Sequence, residues 1–126
     1  METVYRLENT KDGKGPYSDS IGQTCKNPTR IGIQTLLYKR LGTFGHQGNE
    51  HPSLYEDGID WENTQKGNEY PLCAFPNKKG IIEWFTPEEI KYLIKSGYRL
   101  RKFKVRTAII GRSGKQCLFF KSDIIN

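Results

Sequence analysis

Phe85-Thr86-Pro87-Glu88-Glu89-Ile90-Lys91-Tyr92-Leu93-Ile94-Lys95-Ser96-Gly97 spells a helix with both ends marked. The Thr86 hydroxyl can cap the first turn, and Pro87 at the first helical position has no N–H to leave unpaired. Glu89, three residues after Thr86, completes a capping box, and Phe85 with Ile90 has the spacing of a hydrophobic staple. Ile90, Leu93 and Ile94 form an apolar stripe, with Glu88, Lys91 and Lys95 off it. Gly97 can take the left-handed turn that ends a helix. A helix over 86–96 is therefore expected, with one face against a sheet.

The chain beyond it reads as strand. Tyr98-Arg-Leu-Arg-Lys-Phe-Lys-Val-Arg106 is rich in aromatic and β-branched residues, and Thr107 to Ile110 continues it. Tyr98 and Leu100 share one phase and Phe103 and Val105 the other, which predicts a bulge or bend at Arg101-Lys102. Gly111-Arg-Ser-Gly114 is turn chemistry, and Gln116 to Lys121 reads as the returning strand of a hairpin.

Upstream, Gly80 to Phe85 is expected to form a helical turn, after a turn at Asn77 to Gly80. Leu72 to Phe75, between Pro71 and Pro76, reads as a short buried strand. Val4 to Glu8 alternates as a strand should. Ile33 to Leu41 has the spacing of a short helix, with Gly42 as its stop. From 42 to 70 no periodicity survives, and a long irregular loop is expected. The expected architecture is one α+β domain over 1–126. A small, twisted, mainly antiparallel sheet carries the 86–96 helix on one face.

At 126 residues with 35 % apolar and 27 % charged, the chain can build a modest core. No apolar run approaches the roughly 18–20 residues of a membrane span. The N-terminus lacks the basic-then-apolar pattern of a secretory signal, so none is expected. Cys25, Cys73 and Cys117 are widely spaced and odd in number, which suggests free thiols in a reducing cytosol.

The net charge of +6 is concentrated. Residues 98–126 hold eight Lys or Arg and one Asp, and the preceding 97 residues hold twelve basic and thirteen acidic. Five cations fall between Arg99 and Arg106. They can be a solvated edge that deters aggregation, an anion-binding face, or one half of ion pairs with the acidic 50–69 segment. On the second alternative Arg99, Arg101, Lys104 and Arg106 are the candidate partner-binding residues. Tyr55 and Trp61 are possible aromatic anchors, although Trp61 can equally pin the long loop to the body. The partner would be a host protein, a nucleotide or a nucleic acid with an acidic surface. No helix-turn-helix, zinc-finger or RNA-recognition motif is present.

Other motifs carry less. Gly13-Lys14-Gly15 lacks the spacing and following Lys-Ser/Thr of a P-loop, so a plain turn is expected. His46, Glu50, His51 and Asp57 invite a metal reading, but Gly45, Gly48 and Pro52 oppose a helix that would align them. No metal or cofactor is assigned.

Val4-Tyr-Arg-Leu-Glu8, Gly15-Pro16-Tyr17, His51-Pro52, Asp57-Gly58, Phe75, Trp84-Phe85, Gly97-Tyr98 and Gly114-Lys-Gln116 together resemble small accessory proteins encoded by bacteriophages and prophages. Ala74-Phe75 stands where those proteins usually have Gly-Phe, and residues 18–45 have no counterpart. The resemblance implies a phage origin, and by implication action on host machinery such as a defence system. Arg6 after Tyr5 is also similar to the first-strand motif of the ADP-ribosyltransferase fold. That likeness would imply an NAD-using site at Tyr5, Arg6 and Tyr17. The later-strand Glu of such enzymes has no counterpart: Glu8 is too close, and Glu88 and Glu89 serve the helix start.

Overall fold

The computed structural model describes residues 1–11, 13, 15, 54–60, 63–64 and 66–125. Strand β1 (Glu2–Asn9) is followed by β2 (Leu72–Ala74) and helices α1 (Lys78–Trp84) and α2 (Pro87–Lys95). Strands β3 (Tyr98–Val105), β4 (Ile109–Ile110) and β5 (Cys117–Phe119) complete it, with a 3₁₀ turn at Lys121–Asp123. This is an α+β fold with antiparallel pairing throughout, as expected. The expected helix over 33–41 lies outside the described residues.

The ends of helix α2 form as its sequence dictates, but its expected stripe does not carry over whole: Leu93 is buried and Ile90 partly so, whereas Ile94 is 49 % exposed and the capping residue Glu89 is buried instead. Glu89 N–H donates to Thr86 Oγ1 at 3.1 Å, and Thr86 N–H donates to Glu89 Oε1 at 2.8 Å, closing the capping box. Gly97 has φ +98°, the left-handed conformation that lets the chain turn into β3. A second helix precedes it. Asn77 was expected to begin a turn, but its side chain accepts from Gly80 N–H at 2.7 Å and caps α1. Asn is as good an N-cap as a turn residue, and the apolar residues behind it decide which use prevails. Ile81 and Trp84 are both buried.

The expected bulge at Arg101-Lys102 is absent. β1 and β3 pair residue for residue, from Glu2 opposite Val105 to Asn9 opposite Tyr98. The change of buried phase has another cause: this two-stranded sheet serves two cores, one on each face. Leu7 and Tyr98 share one face and join Ile81, Trp84, Phe85 and Leu93 of the helical layer. Val4, Phe103 and Val105 lie on the other face and join Ala74, Cys117 and Phe119 of the second sheet. Each strand therefore changes its buried side partway along without breaking alternation.

The second sheet runs β2-β5-β4. It joins the first through Tyr5 and Phe75, whose backbones exchange two hydrogen bonds of 2.8 Å. The expected strand over 98–110 is interrupted after Val105. There Arg106 N–H donates to Asp123 O and Ile125 N–H to Lys104 O, so the C-terminal segment borders β3. The hairpin is consequently β4–β5 alone, and β3 takes β1 as its partner. Cys117 is fully buried, which pushes its thiol up to about 12, with Cys73 and Glu2 adding to the shift. Since the thiolate is the reactive form, Cys117 should resist iodoacetamide at neutral pH in the native protein and react once unfolded. Peptide mass spectrometry after labelling with and without urea reads this directly, and native labelling at Cys117 would contradict its burial.

Candidate functional site

Strict alternation in the β1–β3 pair sorts its charges by face. Glu2, Arg6 and Glu8 share the face of Arg99 and Arg101, whereas Lys102 and Lys104 stand with Thr3, Tyr5, Leu7 and Asn9. Both carboxylates of β1 are therefore on the face away from Lys102 and Lys104. The four cations expected to act together, Arg99, Arg101, Lys104 and Arg106, are not brought together. Arg99 and Arg101 project from one face and Lys104 from the other, with Arg106 one residue beyond the strand.

On the first face the cations have internal partners. Glu8 accepts from Arg6 Nε at 2.9 Å and lies 3.5 Å from Arg101 Nη1. Arg101 also stands 5.0 Å from the centroid of the Phe103 ring. The Arg99 guanidinium donates to Tyr98 O at 2.8 Å and Ile94 O at 3.3 Å, where it meets the carbonyl end of α2. On the other face, among the described residues, Lys102 has no carboxylate within ion-pair distance, and the same holds for Arg106.

Arg6 is 7 % exposed. Besides Glu8 it donates to Cys73 O at 2.5 Å and Gly13 O at 3.4 Å, tying β2 and the turn after β1 to the strand. Tyr5 faces the opposite side of the sheet, with its ring against the helical core. Tyr5 and Arg6 therefore share no pocket, and Tyr17 lies outside the described residues.

The 54–69 segment meets the C-terminal part in a way the sequence did not suggest. Asp57, 3 % exposed, accepts from Ser113 N–H at 2.6 Å, Ser113 Oγ at 2.9 Å and Gln116 Nε2 at 3.1 Å. Arg112 N–H donates to Asp57 O at 2.8 Å. Burial pushes the Asp57 carboxyl up, but the hydrogen bonds from Ser113 and Gln116 and the Arg112 charge outweigh it and hold the pKa below the usual 3.8. A second tie crosses at the C-terminal turn. Lys66 pairs with Asp123 at 2.9 Å. Ser122 N–H donates to Glu69 at 3.0 Å, and the hydrogen bonds from Ser122, with the Lys66 charge nearby, hold the Glu69 carboxyl below its usual pKa. Asp60 accepts from Asn63 at 2.9 Å.

Asp57, Asp60 and Glu69 are thus committed to hydroxyl, amide and backbone donors and not to the cations of β3. Of the proposed metal set, Asp57 is engaged in this way, and His46, Glu50 and His51 lie outside the described residues. Tyr55 sits on the turn that Asp57 anchors and is 83 % exposed. It is held outward, as an aromatic contact residue would be. Trp61 lies outside the described residues. Sequence reasoning passed over Lys102, although counting every second residue from Lys104 would have found it.

No helix among the described residues is long and apolar enough to cross a membrane. Neither the curated proteins nor the solved structures contain a significant match to this chain. The sequence profile of the family described as Bacteriophage T4 Y00F protein matches residues 1–125. With nearly the whole length matched, and with the Tyr-Arg strand, Trp-Phe and basic C-terminal motifs that already resembled phage proteins, the chain belongs to this bacteriophage family.

Proposed function

We propose that this phage protein acts by contact and not by chemistry: it binds an anionic partner in the host cytoplasm and neutralises a host factor, such as a component of a defence system. The observation that carries this reading is that Lys102 and Arg106 are exposed and have no carboxylate within ion-pair distance among the described residues, which leaves positive charge at this end of the sheet for a partner to meet. Tyr55, presented on an anchored turn, supplies an aromatic contact beside charge, a combination that suits recognition surfaces.

Affinity capture from host lysate tests the proposal, with wild type compared against a variant in which Arg101, Lys102, Lys104 and Arg106 are all Gln. The wild type should retain a host component that is released by salt and not retained by the variant. Identical retention by both proteins would overturn the reading. So would retention unaffected by salt, because exposed charges are screened beyond a Debye length of about 8 Å at physiological ionic strength.

A further inference from the structure

Resting on the function proposed above, we infer that the outer edge of β3 at Leu100–Lys102 takes up an extended acidic segment of a partner protein as an added antiparallel strand. The backbone phase of β3 fixes which groups are on offer. Tyr5 turns its N–H and C=O to Phe75, away from β3, so Lys102, its register partner, turns its own away from β1. Other bonds agree with that phase. Gly97 C=O accepts from Thr10 N–H on the β1 side, whereas Arg106 N–H and Lys104 C=O bond the C-terminal segment on the outer side. Arg99, Arg101 and Phe103 therefore bond β1, and the N–H and C=O groups of Leu100 and Lys102 point outward. Among the described residues no backbone group pairs with them: β1 occupies the inner edge, and the outer bridge, between Val105 and Ile124, lies further along.

Charge selects the occupant. An open strand edge is a template for another strand, and cations along it repel any strand that carries cations too. A second copy paired through this edge would set the basic residues of one β3 against those of the other. An acidic strand meets the opposite situation. Lys102 is exposed with no carboxylate within ion-pair distance among the described residues, so a carboxylate directly across from it completes a pair. On the other face Arg99 and Arg101 are exposed, and Glu8, the carboxylate beside Arg101, is already shared with Arg6. Leu100, 42 % exposed, adds an apolar contact next to Lys102 on its face. Main-chain bonds then supply affinity and alternate side chains selectivity, as in strand addition generally. A nucleic acid would leave the main-chain groups unused.

The test is fluorescence anisotropy of a labelled, end-blocked peptide, Thr-Glu-Glu-Val-Glu-Thr, titrated with the full chain. Its Glu-Glu-Val-Glu lies across from Lys102, Arg101, Leu100 and Arg99 in antiparallel register. The first Glu and the Val then turn their N–H groups to β3, and the second and third Glu turn theirs to solvent. N-methylation of the first Glu and the Val should weaken binding about tenfold or more, because ladder bonds are lost. N-methylation of the second and third Glu should leave it within about twofold. Lys102→Gln should weaken binding severalfold, and Lys78→Gln, on α1, should not. Amide exchange gives a second readout. The Leu100 and Lys102 amides should exchange faster than those of Arg101 and Phe103 in the free chain and become protected when the peptide binds.

Equal binding of the two N-methylated peptides would overturn the inference, since charge alone would then suffice. So would unchanged exchange at Lys102, tighter binding of an oligothymidylate of equal charge, or no binding of the parent peptide. In each case cation-dependent capture from host lysate still decides the proposed function, which stands if that capture persists and only the form of its ligand changes.

Discussion

Asp57→Ala should cost about 3 kcal/mol of stability, the loss expected when buried donors lose a charged acceptor. Three groups are orphaned at once: the Ser113 N–H, the Ser113 hydroxyl and the Gln116 amide. Gln116 is itself buried, so water cannot fully replace the carboxylate. Urea unfolding with an unchanged m-value is the measurement. A loss below about 0.5 kcal/mol, the range of ordinary surface substitutions, would mean that the turn does not depend on Asp57.

Gly111→Ala probes the same contact from the other side. The three atoms nearest to a methyl group at Gly111 all belong to the Asp57 side chain, and its carboxylate occupies the space outright. Gly111 does not have a positive φ, so alanine is otherwise acceptable there. The single substitution should cost about 2 kcal/mol through overpacking. In the Asp57→Ala background it should fall within about 1 kcal/mol of neutral, because only the β-carbon at 3.2 Å remains. Additive costs would refute the direct contact. Acid acts on the same carboxylate. Its folded pKa lies below 3.8, so its stabilisation is complete above the unfolded value and is lost as pH falls through the folded one. Wild type should therefore lose stability below about pH 4 more steeply than Asp57→Ala, which keeps only contributions such as that of Glu69.

Phe85→Ala should be the most damaging core substitution near the helices. Phe85 is 2 % exposed, packs edge-on to Phe75 with ring centroids 6.1 Å apart, and joins Leu7, Ile81, Trp84, Leu93 and Tyr98. Deleting a buried phenyl group costs about 3–5 kcal/mol. Total stabilities run to about 5–15 kcal/mol, so the variant should sit near its folding threshold. Phe85→Leu, which keeps much of the volume, should recover more than half of the loss. Equal unfolding midpoints for Phe85→Ala and wild type would show that the helical layer does not depend on this ring.

Helix α2 needed no tertiary information. Its cap and terminating glycine are local, and local hydrogen bonding and backbone conformation set them. The alternation of β1 and the turn residues Gly111 to Gly114 were also legible locally, although β1 takes its hydrogen bonds from β3 and Asp57 holds the turn from more than fifty residues away. Asn77 shows the limit of local reading, because its side chain serves a turn or a helix equally well until Ile81 and Trp84 find a core to enter.

Periodicity failed at β3 for a physical reason. A strand covered on both faces can bury its two ends in different layers, and the sequence then looks as if it slips register when the backbone does not. That β3 pairs with β1 across most of the chain, that Asp57 reaches the 111–116 turn, and that the acids of β1 lie away from Lys102 and Lys104 are consequences of long-range packing. Sequence alone determined the local elements and the concentration of positive charge. Only the tertiary structure decided which face each cation occupies, because a side chain's side of a sheet depends on the partner strand and on the layer that covers it.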